Sequence, residues 1–237
     1  MKNFIIFLIA SLSFASCNIG GDSLSGNGNM RDEKRNVSNF HAIKTSGSID
    51  VTINTGDYSV VVQDDENLLP YIITEVKDGV LEIYFKNAFS ISNSDATVFV
   101  TAPSLDKISR SGSSDIKSNG TLKNTDGIEF VLSGSGGLEA NVDAPSIKVT
   151  VTGSGDIELT GKTKNFECKV SGSGDVQCGN LQSENCAISV SGSANALVFA
   201  SVHLVARVSG SGDIIYRGNL TSPEIHTSGS GTVQAQK

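Results

Sequence analysis

Three groups of residues have types and spacings that could do chemistry. Asp115, Asp156, Asp175 and Asp213 recur at one position of a repeated segment, and Asp50 matches them earlier in the chain. A column of carboxylates suits Ca²⁺, a hard cation that takes several oxygen ligands. Asp156, Asp175 and Asp213 are the candidate ligands. The column is broken by Gly137, Asn195 and Thr232, and Asp and Asn at turns commonly accept hydrogen bonds from backbone amides. That second role is the expected one, with no metal and no cofactor. Cys168, Cys178 and Cys186 fall on apolar positions of alternating strands. Their spacings of 10 and 8 residues are not a zinc pattern. Three buried thiols are expected, with one disulfide as the alternative in an exported chain. Ser23, within Gly21-Asp22-Ser23-Leu24, would be a nucleophile only beside a histidine base. None of His41, His203 and His226 has an Asp three residues earlier to complete such a set, and without a base the hydroxyl is not activated. No catalytic residue is expected.

The elements that position these groups are set by a repeat. Ser/Thr-Gly-Ser recurs around Gly47, Gly112, Gly134, Gly153, Gly172, Gly192, Gly210 and Gly229. From Gly112 onward the glycines are 22, 19, 19, 20, 18 and 19 residues apart. The flanks alternate with period two: Phe166-x-Cys168-x-Val170 and Cys186-x-Ile188-x-Val190 before the turn, Ile157-x-Leu159 and Val176-x-Cys178 after it. This is strand, tight turn, strand, with one apolar face. A meander of hairpins has no reason to keep one turn sequence at constant spacing. A solenoid does, because its turns must superimpose at about 4.8 Å. The expected fold is all-β, a parallel β-helix-like solenoid with coils of about 19 residues and Gly-Ser-Gly turns. Regular repeats occupy 104–237. Residues 38–103 are a less regular N-terminal part, with strands at Ile49–Ile53, Val60–Val62 and Val98–Val100 and a hairpin on Asp78-Gly79.

Composition agrees. Of 237 residues, 25 are Gly and roughly 34 are Ser, yet 38% are hydrophobic and none is Trp. A thin core of Val and Ile needs no large aromatic residue. The net charge of −7, without a basic stripe, argues against nucleic-acid binding.

Residues 1–17 read as an export signal: Lys2, the apolar run Phe4–Ala10, then small residues before Cys17. Ala15-Ser16-Cys17 resembles the end of a bacterial lipoprotein signal, which implies that Cys17 is lipidated, although Phe14 stands where Leu is usual. An ordinary secretory signal is the alternative. Residues 18–37, rich in Gly, Asn and Ser and then in charge, read as a flexible tether.

The Gly-Ser-Gly repeats, this signal, and the entry Phe40-His41-Ala42-Ile43-Lys44-Thr45-Ser46-Gly47-Ser48-Ile49-Asp50-Val51 resemble the auto-transporter adhesin head (GIN) domain family of Bacteroidetes-type lipoproteins, over about residues 38–222. The sixth turn departs from the pattern, with Ala194-Asn195 in place of Gly-Asp. The resemblance implies a β-helix-like solenoid and a non-catalytic adhesin or interaction scaffold, with no catalytic set to transfer. The expected setting is the cell envelope: outer membrane, lipid-anchored, and periplasmic or surface-exposed. The expected partners are a surface glycan or protein, with a homo-oligomer allowed. The alternatives are a carbohydrate-binding or polysaccharide-acting protein on a pectate-lyase-like helix, and a structural envelope protein.

Overall fold

A computed structural model describes residues 22–86 and 89–236; Cys17 and the export signal lie outside them. The chain enters through β1 (Asp22–Ser25) and β2 (Met30–Arg35). The first coil is β3 (Ala42–Gly47) and β4 (Asp50–Thr55). An excursion follows: β5 (Ser59–Asp65), the 3₁₀ turn Leu69–Tyr71, β6 (Ile72–Lys77), β7 (Val80–Phe85), β8 (Phe89–Ser92) and β9 (Thr97–Ala102). Regular coils then run through β10 (Lys107–Gly112), β11 (Ile116–Lys123), β12 (Ile128–Gly134), β13 (Leu138–Asp143), β14 (Ser146–Gly153), β15 (Ile157–Gly172), β16 (Val176–Gly192), β17 (Ala196–Phe199) and β18 (His203–Gly210). The last described strands are β19 (Ile214–Arg217), β20 (Glu224–Gly229) and β21 (Val233–Ala235).

The stacking is parallel and in register, as a solenoid requires. One sheet runs β3–β10–β12–β14, continues through the second halves of β15 and β16, and ends in β18 and β20. Along it each turn glycine pairs with the next: Gly47 with Gly112, Gly112 with Gly134, and onward to Gly210 with Gly229. A second sheet runs β9–β4–β11–β13, then the first halves of β15 and β16, then β17, β19 and β21. β15 and β16 pass from one sheet to the other without a break, as strands of 16 and 17 residues. Period-two alternation puts Phe130, Val149, Cys168, Ile188 and Ala206 in one inward column and their neighbours outside. The result is one continuous apolar core along the whole stack. The Asp78-Gly79 hairpin forms as expected: β6 and β7 pair antiparallel, and both turn residues have positive φ, +50° and +77°.

The tether is corrected for the part described. Within residues 22–37, β1 pairs with β8, and β2 lies antiparallel on β5. These segments carry no apolar period because they bury almost nothing; all but one of the residues in β2 are exposed. They are held by the backbone of neighbouring edges. Between them the Asn-rich turn is fixed by amide side chains: Asn67 Oδ1 accepts from the Asn27 backbone, 3.1 Å, and Asn27 Oδ1 from that of Asn29, 3.0 Å.

Candidate functional site

The corner between the two sheets is built from two ladders. In the first, each turn glycine from Gly112 to Gly229 has φ between +104° and +140°. From Gly47 to Gly210 the glycine carbonyl accepts the N–H of the serine that follows the glycine one coil further on: Ser113 donates to Gly47, Ser173 to Gly153 and Ser230 to Gly210, each within 3.0 Å. A Cβ at Gly172 would stand 1.8 Å from the Gly153 oxygen. Glycine is required here by the neighbouring coil as well as by φ.

In the second ladder the aspartates serve the next coil. Asp50 Oδ1 accepts the Asp115 backbone N–H (2.8 Å), Asp115 that of Gly137 (2.7 Å), Asp156 that of Asp175 (2.8 Å) and Asp213 that of Thr232 (2.8 Å). Asn195 continues the chain of bonds between Asp175 and Asp213 at 3.3 Å on each side. Hydrogen bonds from Thr232 hold the Asp213 carboxyl below the usual carboxylate range. So Asp156, Asp175 and Asp213 do form a column, and one oxygen of each, Oδ1, accepts a turn amide of the next coil. No cluster of three or more His, Cys, Asp or Glu able to hold a metal occurs among the described residues.

The three cysteines lie in the core as free, buried thiols. Cys186 stacks on Phe166, and Cys178 pairs with Val198. Burial pushes all three thiols up, Cys186 to about 12, so none is a thiolate nucleophile at neutral pH. His203 opens β18 on the exposed side, with Leu204 inside. Ser23 is exposed in β1.

Each outer face carries its own pattern. On the first sheet, Glu129 is bridged by Lys107 (2.8 Å) and Lys148 (3.4 Å) from adjacent strands, which holds its carboxyl below the usual range. On the second, Thr121 donates to Asn141 (2.8 Å), and Asn141 to Thr160 (2.9 Å). A recess of about 420 Å³ opens at the far corner of the coils. Its lining includes Pro145, Lys162, Lys164, Gln182 and Phe199. It forms where the coil from Gly192 to Gly210, 18 residues, is shorter than the 20-residue coil before it. Lys162 pairs with Asp143 at 3.4 Å.

Three buried charged residues, Arg110, Asp64 and Asp65, stand outside the repeat pattern and are not marked by it. Arg110 is 2% exposed, in an inward column between the buried Thr45 and Leu132, which continues through Val151 and Val170. Its Nη1 donates to the carbonyls of Gly112 and Ser114, both 3.2 Å. The guanidinium occupies the space left by the missing side chains of Gly136 and Gly155. The sequence does carry a signal for it: one Arg in a column that is aliphatic from Leu132 onward, beside a column of glycines. Asp64, fully buried at the end of β5, accepts from the Asp65 backbone (2.9 Å) and the Ser94 hydroxyl (2.8 Å). Burial raises its carboxyl above the usual range.

The model of the family described as "Putative auto-transporter adhesin, head GIN domain" matches residues 39–219, most of the chain and all of the regular coils up to β19. The chain belongs to this family. Solved structures show the same fold. A "putative adhesin" from Bacteroides fragilis superposes with a TM-score of 0.85 at 23% identity, over 90% of this chain and 100% of that one. A "putative adhesin" from Parabacteroides distasonis gives 0.70 at 28% identity, over 91% and 100%. A "putative lipid binding protein" from the same species gives 0.75 at 24%, again over 91% and 100%. Among curated proteins none matches the sequence. In this family member the departure at Ala194-Asn195 changes little: Gly192 keeps its positive φ, and Ser193 still donates to Gly172 at 3.0 Å.

Proposed function

We propose that this adhesin-family solenoid is a non-catalytic interaction scaffold of the cell envelope, lipid-anchored through Cys17, which presents its outer faces to a surface glycan or protein. The observation that carries this reading is the in-register stack. Polar side chains stack in ladders along both faces at the strand spacing of about 4.8 Å, with Lys107–Glu129–Lys148 on one and Thr121–Asn141–Thr160 on the other. An extended polymer laid along the axis would meet a polar group at each coil. The formal charge of −7 makes a polyanion such as nucleic acid an unsuitable ligand. A glycan array probed with the purified protein tests the ligand class, and protease shaving of intact cells tests exposure. Binding to a glycan or protein ligand together with loss of the protein on shaving supports the reading. Protection from protease rules out adhesion to another cell. Loss of fatty-acid labelling in Cys17→Ala tests the anchor.

A second reading rests on the recess at Phe199, whose apolar floor and mixed polar rim suit a carbohydrate. Cleavage of a polysaccharide by the purified protein, abolished by changes at Lys162 or Lys164, would favour it over the scaffold.

A further inference from the structure

The two ends of the stack differ. At the N-terminal end the second sheet finishes in antiparallel β9–β5–β2, and the first finishes in the β6–β7 hairpin. At the other end, among the described residues, β20 pairs only with β18, and β21 only with β19. All six residues of β20 are exposed. One of them, Ile225, sits above Ala206 in the inward column and is 41% exposed because no further coil covers it among the described residues. The backbone is bare as well. Gly210 gives its carbonyl to Ser230 in the next coil. By strand alternation the matching groups of the last coil, on Gly229, Thr227 and Ile225, face off the end. An open edge of this kind is a template for another strand.

We infer that this end pairs with the same end of a second copy, β20 against β20, antiparallel about a two-fold axis at Ile225. The N-terminal edge β2 is charged from Arg31 to Arg35, the kind of side chain that blunts a sheet edge, so head-to-tail pairing onto it is disfavoured and a closed two-fold contact is the one selected. Side-chain chemistry selects the register. With the axis at Ile225, the two exposed isoleucines cover each other, and Glu224 faces the partner's His226. An axis at Glu224 would oppose two carboxylates, and one at His226 would oppose two imidazoles and leave Ile225 uncovered. In the chosen register the Ile225 backbones exchange two hydrogen bonds, and Thr227 N–H donates to the partner's Pro223 carbonyl. Pro223 has no N–H to return, so the ladder stops there. The contact is therefore short, well below the roughly 800 Å² per partner of a standard interface. Its dissociation constant falls in the micromolar to millimolar range.

Sedimentation equilibrium of the purified protein up to about 1 mM tests the idea, with circular dichroism to check that each variant is folded. The wild type dimerises reversibly, and Ile225→Lys is monomeric throughout. His226→Glu, which faces Glu224 with a second carboxylate, weakens association roughly tenfold. The swap Glu224→His with His226→Glu restores it. The Cα atoms of a hydrogen-bonded antiparallel pair lie about 5.5 Å apart, within disulfide reach. Ile225→Cys therefore gives a covalent dimer on mild oxidation, whereas Lys169→Cys, on the outer face in mid-stack, does not. A wild type still monomeric at 1 mM, or a dimer indifferent to Ile225→Lys, overturns the proposal. A swap that fails to rescue overturns the register.

Discussion

Replacing one turn glycine by alanine separates the two demands placed on it. Gly172 has φ +140° and Gly47 has φ +93°, so both positions penalise a Cβ through the backbone. An unfavourable φ of this kind costs of order 1–3 kcal/mol. They differ in what lies beside them. A Cβ at Gly47 meets nothing within 4 Å; at Gly172 it meets the Gly153 oxygen at 1.8 Å. Real Cβ contacts essentially never come under 3.0 Å, so the turn must move by at least the difference, 3.0 − 1.8 = 1.2 Å. That displacement breaks the 3.0 Å bond from Ser173 to Gly153 and strains the one from Ser193 to Gly172. Each bond contributes about 1 kcal/mol. Gly172→Ala should therefore cost roughly 2 kcal/mol more than Gly47→Ala, about 3–5 against 1–3. Urea denaturation followed by far-UV circular dichroism measures both. Because stacked repeats can open piecemeal, amide exchange at Ser173 and Ser193 should also speed up in Gly172→Ala alone. Equal destabilisation by the two variants, with no local change in exchange, would refute the idea that coil stacking selects these glycines in addition to φ.

Four further outcomes are expected. Arg110→Met, which fills the same column with an apolar chain, should leave stability within about 1 kcal/mol, whereas Arg110→Ala, leaving a hole beneath Gly136 and Gly155, should lose about 2–4 kcal/mol in chemical denaturation. Asp64, whose carboxyl is raised by burial, keeps its proton in the folded state to a higher pH than in the unfolded chain; its contribution is therefore present at low pH and is lost as pH rises from about 4 through the folded value. Asp64→Asn should remove that decline and melt above the wild type at pH 7, as calorimetry across pH 3–8 would show. Millimolar Ca²⁺ should leave the melting temperature unchanged, since Oδ1 of each of Asp156, Asp175 and Asp213 already accepts a turn amide; an upward shift would return them to the role of ligands. Cys168, Cys178 and Cys186 should be silent to a thiol reagent in the native protein and all react after denaturation; a missing thiol would reveal a disulfide.

The parts legible from sequence are those the repeat must hold constant. Superimposed turns force the same residue at the same place, so the spacing and alternation alone mark Gly112 to Gly229, the aspartate positions and the inward columns. The parts that are not legible are those that occur once. Arg110 hides at the head of a column that is aliphatic from Leu132 onward, because one charge does not disturb a period; two carbonyls accept from its Nη1 and two absent side chains make room for it, while Nε and Nη2 have no partner among the described residues. β1 and β2 leave no trace for the opposite reason: they bind through backbone edges, and backbone has no side-chain pattern.

The same distinction bears on function. The corner ladders serve the stack: the turn-glycine carbonyls and one oxygen of each aspartate are occupied by the next coil. Recognition then falls to the outer faces and, more locally, to what breaks the repeat. Here that is the recess made by the short coil at Phe199, and the bare end at Ile225, where the ladder of amides and carboxylates has no next coil to bind among the described residues. Substitutions at Phe199 or Ile225 should therefore change binding or association while leaving the melting temperature nearly constant. Substitutions at Gly153 or Asp156 should do the reverse. A ligand whose affinity followed the turn column instead would place recognition on the stack itself.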